Sequence, residues 1–239
     1  MKYSRGIFSG LSFVTECIEI IRKIEYNIKE NGGFLMQYLK EEVRSNIVEE
    51  ALKEFKQMGY KSTSIRSIAK NAQTSVGNFY KYFQSKEDLY QKLIGPVYDR
   101  LMDYINQFNK VEINEKADEI FYELMEKILQ IFQESSTEIT ILLNKSEGSV
   151  YGDCKKTFTD FVTRIVTEKM KYELSLQNKR LKNNFIIYLL SYNLVESISI
   201  IMKEKQEGSE VRKLILDIID IFYSNIVGKL DFENIELGD

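Results

Sequence analysis

The sequence predicts an all-α fold, and three observations predict it. Among 239 residues there are 12 glycines and one proline, less punctuation than strand-and-turn folds require. Apolar residues recur at i, i+3, i+4 and i+7 through most of the chain after residue 38. Hydrophobic residues make up 44% and charged residues 29%, which suits packed helices with a sizeable core and not a disordered chain.

Residues 1–35 come first. Ile18, Ile21, Ile24 and Ile28 fall at helical spacing, so this segment reads as a helical extension. A second reading stands beside it. Gly32-Gly33 can be encoded by a purine-rich ribosome-binding sequence at a workable distance from the Met36 codon. On that reading Met36 is the natural start, and the upstream nucleotide sequence decides between the two.

Val43, Ile47, Ala51, Leu52, Phe55 and Met58 form one stripe, which predicts an amphipathic helix over 38–58 ended by Gly59. Ile65, Ile68, Ala69 and Ala72 predict a short helix at about 64–71, capped by Thr63 or Ser64. After a break at Gln73-Thr74, Ser75 caps a third helix at about 76–82. Ser85 followed by Asp88 resembles a capping box and opens a long helix through Phe108. That helix contains Gly95-Pro96, where a kink is expected. Further helices are expected at about 115–134, 137–146, 151–175, 179–205 and 210–228.

Composition narrows function. Histidine is absent, which removes the commonest general base and metal ligand, and no carboxylate, Lys or Tyr pattern suggests catalysis. No catalytic residue, metal site or cofactor is expected. Two cysteines, Cys17 and Cys154, do not make a disulfide scaffold and fit a reducing cytoplasm. Residues 185–202 approach the length of a membrane span, but Asn193 and Glu196 sit mid-segment, so a buried or subunit-interface helix is expected and no membrane role.

The stretch "TSVGNFYKYFQSK", residues 74–86, carries the strongest functional signal. On a helical wheel Val76, Phe79 and Phe83 fall on one side, which predicts a core-facing anchor. Gly77, Asn78 and Lys81 face the other way, with Tyr80 and Tyr82 on the flanks. Asn bonds an adenine edge bidentately, Lys reaches guanine acceptors or phosphate, and Gly permits close approach. A Tyr hydroxyl suits phosphate. From Gly59 to Lys86 there are five bases (Lys61, Arg66, Lys70, Lys81, Lys86) and no acid, in a chain of net charge −3. Arg66 and Lys70 read as solvated helix charges. Two short helices with a tight break, the second carrying the readers, describe a helix-turn-helix over about 64–83.

These residues resemble the DNA-binding domain of the TetR family of bacterial transcriptional regulators. The resemblance covers residues 43–90 and rests on "ALKEFKQMGYKSTSIRSIAKNAQTSVGNFYKYFQSKEDL". It departs at the turn, often Ala-Gly-Val-Ser in the family and Ala72-Gln73-Thr74-Ser75 here, which implies some backbone strain. The resemblance implies a three-helix helix-turn-helix head at 36–85, joined by a long helix to a helical ligand-binding and dimerisation domain at 86–239. Ser64 and Ser75 would bond phosphates, Gly77, Asn78 and Lys81 would face bases, and Tyr80, Tyr82 and Lys86 would clamp the backbone. The implied partners are a double-stranded DNA operator of near-palindromic sequence, a second copy of the chain and an unidentified small-molecule effector. Phe121, Tyr122, Phe158, Phe161 and Tyr188 are of the kind that lines such a pocket, but apolar aromatics are more often plain core and no effector contact is assigned; Gly95-Pro96 is the expected flexure between effector and head. A factor of the same fold governed by a protein partner is the alternative.

Overall fold

A computed structural model describes residues 39–114, 116–205, 207–230 and 232–234, together with Glu19 and Gln37. The isoleucine spacing of the first 35 residues and the expected start at Met36 lie outside the described residues. Contacts divide the chain into two units, Met1–Ile47 and Val48–Asp239, and the second holds the head from Val48 onward together with the whole helical body.

The first helical run, α1, spans 39–62, so it extends past Gly59, where the sequence predicts its end. The glycine signal nonetheless has a physical basis: Gly59 sits at φ +80°, the left-handed conformation that glycine tolerates. There the Tyr60 amide leaves the helix and donates to the Lys145 carbonyl at 2.9 Å. One more turn follows, closed by the buried Thr63, whose hydroxyl donates to the Gly59 carbonyl at 2.8 Å.

The head continues with α2 (Ile65–Asn71) and α3 (Val76–Phe79), capped by Ser64 and Ser75 as expected. Phe79 and Phe83 are fully buried with rings 5.6 Å apart, and Ile68, Ala69 and Phe55 are buried with them in the head. Each such aromatic contributes about 1.5–3 kcal/mol of burial. Val76 departs from expectation: it is 36% exposed. α3 is a single turn, shorter than the expected 76–82, so a wheel drawn over seven residues assigns its first position to the wrong side.

α4 (Lys86–Phe108) runs unbroken through Pro96. Ser85 caps it by accepting from the Asp88 amide, and the Asp88 carboxylate accepts from the Gln84 amide at 2.9 Å, one residue before the usual capping-box partner. Gly95 is a packing position inside this helix. A Cβ there would lie 2.8 Å from the Tyr151 hydroxyl. Tyr151 in turn packs on Tyr98, with centroids 4.5 Å apart.

The body is built from α5 (Ala117–Glu134), α6 (Ser136–Asn144), α7 (Cys154–Ser175), α8 (Phe185–Glu204) and α9 (Gly208–Tyr223). α7 packs on α8, α8 on α9, and α5 on both α4 and α9. Two boundaries differ from the sequence reading. Residues 179–181 are a strand, β1 (Lys179–Leu181), not the start of a helix. β1 pairs antiparallel with β2 (Phe232–Asn234) in the register Lys179↔Asn234 and Leu181↔Phe232. The pairing spans about 50 residues of sequence, which no local pattern reveals, and Asn178 at φ +54° ends the helical geometry before it. Likewise the expected helix 210–228 breaks at Ser224-Asn225, with Asn225 at φ +51°, before the short α10 (Ile226–Lys229).

Head and body meet within this unit through residues 145–151. The Lys145 ammonium donates to the Gln57 carbonyl, Lys61 pairs with Glu147 at 3.0 Å, and the buried Tyr90 hydroxyl bonds Ser146 Oγ at 2.9 Å. Aromatic contacts run from Phe55 and Tyr60 of α1 through Tyr90 to Tyr151.

Candidate nucleic-acid interface

The head's outer face is held from behind. Glu54 of α1 fastens both ends of α2: one carboxylate oxygen accepts from Ser67 Oγ at 3.1 Å, the other from Asn71 Nδ2 at 2.7 Å. The Ser64 and Ser67 side chains close a reciprocal capping box. The turn after α2 places Gln73 at φ +52°, where the family's usual glycine carries no steric cost. The strain implied by that departure is therefore present at Gln73. The Thr74 amide then donates to the Ala69 carbonyl at 2.9 Å and sets the direction of α3.

Each expected contact residue has a definite place. Gly77 and Lys81 are exposed, and so are the two capping serines, Ser64 and Ser75. Tyr80 is 54% exposed and sits edge-on to the buried Phe79 at 5.6 Å. Asn78 and Tyr82 are half-buried. The Asn78 side chain donates from Nδ2 to Thr74 Oγ1 at 2.9 Å, which fixes the direction of its amide. Thr74 is a contributor that a wheel over 76–82 does not single out, although the i, i+4 spacing of Thr74 and Asn78 is readable in the sequence.

Gly77 is informative because the fold does not require it. It is not among the glycines at positive φ, and the nearest side-chain contact of a Cβ there would be Ser75 Oγ at 3.9 Å. The space in front of it is open.

Lys86 is placed differently from the outward clamp the resemblance implies. Its ammonium donates to the Tyr60 and Thr63 carbonyls at 2.7 and 3.0 Å and lies 4.3 Å from the Tyr60 ring centroid. It caps the last carbonyls of α1, a favourable position for a cation. Burial lowers its pKa. Two of its three donors are used in this way, so it ties α4 to α1 under the face.

The charge of the face lies in Arg66, Lys70 and Lys81, all exposed. Lys61 is drawn toward Glu147 of the body. No acid interrupts residues 59–86, so these segments contribute only positive charge to the face. The arrangement presents a short helix with small and polar residues outward, two capped helix N-termini and a tyrosine hydroxyl at the flank. This is what major-groove docking with phosphate contacts requires.

A family profile described as bacterial regulatory proteins of the tetR family matches residues 47–93. The HTH-type transcriptional regulator YuxN of Bacillus subtilis (strain 168) is 50% identical over 54 residues, 23% of this chain. The matched stretch spans only 19% of YuxN's length. The biofilm operon icaADBC HTH-type negative transcriptional regulator IcaR of Staphylococcus aureus (strain Newman) is 22% identical over 184 residues, 75% of this chain and 98% of IcaR. Among solved structures, a TetR-family transcriptional regulator from Bordetella parapertussis 12822 superposes with a TM-score of 0.53 at 18% identity, covering 79% of this chain and 98% of that one. A TetR-like transcriptional regulator from Rhodococcus sp. RHA1 gives 0.52 at 15% identity, covering 78% and 96%. These two share the fold. Head and family match agree: residues 47–93 form a helix-turn-helix head of the kind found in bacterial regulatory proteins of the tetR family, and the described chain shares the fold of these two structures.

Proposed function

We propose that this protein is a cytoplasmic repressor that binds a near-palindromic operator as a homodimer and leaves it when a small molecule enters the body. The observation that carries the DNA reading is the acid-free outer face of α2–α3, with Gly77 open to solvent beside Asn78 and Lys81. Gly77, Asn78 and Lys81 face bases, Ser64, Ser75, Tyr80 and Tyr82 hold phosphates, and Lys86 acts mainly by holding the head together. The head ends near residue 85, and residues 86–239 form the ligand-binding and dimerisation part. The negative regulation in IcaR's name supports repression over activation.

Two features of the body support the rest. α8 is long and apolar enough to cross a membrane by length and composition, yet Glu196 at its middle pairs with Lys155 at 3.0 Å and Ile187, Leu194 and Ile198 are buried. Its other face leaves Phe185, Leu189, Tyr192 and Ile200 exposed, the last at 59%. A second copy covers such a face more readily than water does. A two-fold dimer reads half-sites one or more helical turns apart.

The second feature is a cavity of about 300 Å³ among α4, α5, α7, α8 and α9. Phe121, Phe158 and Phe161 line it, while Tyr122 and Tyr188 are exposed outside it. A ligand there reaches the head through α4 and the 145–151 contacts. Gly95-Pro96 lies on that route, and Pro96→Ala is expected to alter effector response more than folding.

Gel shift with DNA upstream of the gene, paired with light scattering, tests this reading. A discrete shift and a dimer mass are expected, and Ile200→Glu should lower both. A monomer that binds as tightly as the wild type would refute the dimer.

A further inference from the structure

The body cavity is chemically one-sided. Among the described residues, fifteen of its lining side chains are hydrocarbon or thioether, Tyr223 adds a phenol, and Lys169 is the single charged side chain. Phe158, Phe161, Val162, Ile165, Val166 and Lys169 follow one another along α7 at i, i+3, i+4, i+7, i+8 and i+11, one continuous helix face. At 1.5 Å per residue that face is about 16 Å long, so this wall changes from aromatic to aliphatic to cationic along its length.

The cationic end opens into a second recess. Ile165, Val166, Lys169 and Tyr223 are common to both spaces, and the recess adds Glu173 and Asn225. Lys169 lies 3.9 Å from Glu173 and its side chain is 40% exposed, so its ammonium stands at a hydrated mouth. The Tyr223 hydroxyl bonds Ser191 Oγ at 3.1 Å. Among the described residues no acid lines the apolar cavity itself, so a cationic guest would bring its charge into an apolar space whose charged lining residue is a lysine. A neutral hydrocarbon fills the cavity but leaves the mouth unused.

We infer that the effector is an elongated anionic amphiphile, its hydrocarbon part in the aromatic end of the cavity and its acid group at Lys169. The inference rests on the proposal that this cavity holds the effector, and it adds the effector's chemical class. A carboxylate meets the Lys169 ammonium at the mouth without losing all its water, and Glu173 turns toward solvent or shares the lysine.

Calorimetry with the full chain tests it, using dodecanoate, dodecanol and dodecyltrimethylammonium below their micellar concentrations. Dodecanoate should bind tightest and the trimethylammonium weakest. Octanoate should bind much more weakly than dodecanoate, since each buried methylene changes affinity about four-fold. Lys169→Gln should weaken dodecanoate about five-fold and leave dodecanol unchanged, and Lys169→Arg should restore the acid. Val162→Trp, which fills the cavity, should abolish both. Equal or tighter binding of the cationic amphiphile overturns the inference, as does acid binding indifferent to Lys169→Gln or absence of binding by all three. Operator release is read separately by gel shift. Dodecanoate that binds through Lys169 without releasing DNA supports the chemical class and refutes ligand release. A cationic amphiphile that releases DNA does the reverse.

Discussion

Replacing Gly77 by alanine separates the fold of the head from its use. A Cβ at this position meets no side chain closer than Ser75 Oγ at 3.9 Å, an ordinary contact, and the backbone is not left-handed. The fold therefore accepts the methyl group, and alanine in a helical turn is favoured over glycine by about 0.5–1 kcal/mol. For a domain of this size that corresponds to a Tm about 1–4 °C higher. At a closely docked DNA face the same methyl group has to be accommodated against a base edge or phosphate, at a cost of about 1–3 kcal/mol. Affinity should fall about 5- to 150-fold. Thermal melting followed by circular dichroism gives the first quantity, and fluorescence anisotropy with a labelled operator fragment gives the second. Opposite signs are the expected result. A variant that is stabilised and binds DNA as well as the wild type would refute close approach at Gly77. A variant that melts lower would refute the reading that the fold has no need of glycine there.

Three further outcomes are expected from the structure. Gln73→Gly should raise stability by about 0.5–1 kcal/mol in a denaturant titration, because it removes a non-glycine residue from φ +52°. Asp88 is held below its ordinary pKa of 3.8 by hydrogen bonds from Lys92 and the Gln84 amide. Its contribution is thus full above about pH 4 and is lost as pH falls through the lower folded value. Stability curves of the wild type and Asp88→Asn should differ by a few tenths of a kcal/mol above about pH 4 and converge as pH falls from there through the lower folded value, a small gap because the pair is solvent-screened. Burial pushes the Cys154 thiol up to about 12, so in a Cys17→Ser background it should resist iodoacetamide at about pH 8 until denaturant is added. Rapid labelling of the native protein would contradict its burial.

The head is legible in the sequence because its signals are local. Ser64, Ser75 and Ser85 cap helices at the expected places, and the acid-free run from Gly59 to Lys86 marks the candidate DNA-contacting face. Three of the departures share one physical cause, which is that partners distant in sequence decide the outcome. Lys86 binds carbonyls of Tyr60 and Thr63, far back along the chain. β1 exists because residues 232–234 pair with it. Gly59 turns out of the helix because Lys145 accepts the next amide. Val76 departs for a smaller reason: a one-turn helix has too few residues for a wheel to orient. In the body, aromatic residues at helical spacing do not say which of them meet, so the cavity and its single lysine emerge only from the packing of α7 against its neighbours.

Whether the outer face of α3 reads DNA is decided by hydroxyl-radical footprinting. The fragment is the DNA upstream of the gene, and the proteins compared are the wild type and Asn78→Ala. Two symmetric protected patches, one or more helical turns apart, are expected for the wild type. Asn78→Ala should erase the two discrete protected patches and leave only weak, salt-sensitive binding. An unchanged footprint in Asn78→Ala, or no footprint in the wild type, would contradict DNA reading by α3.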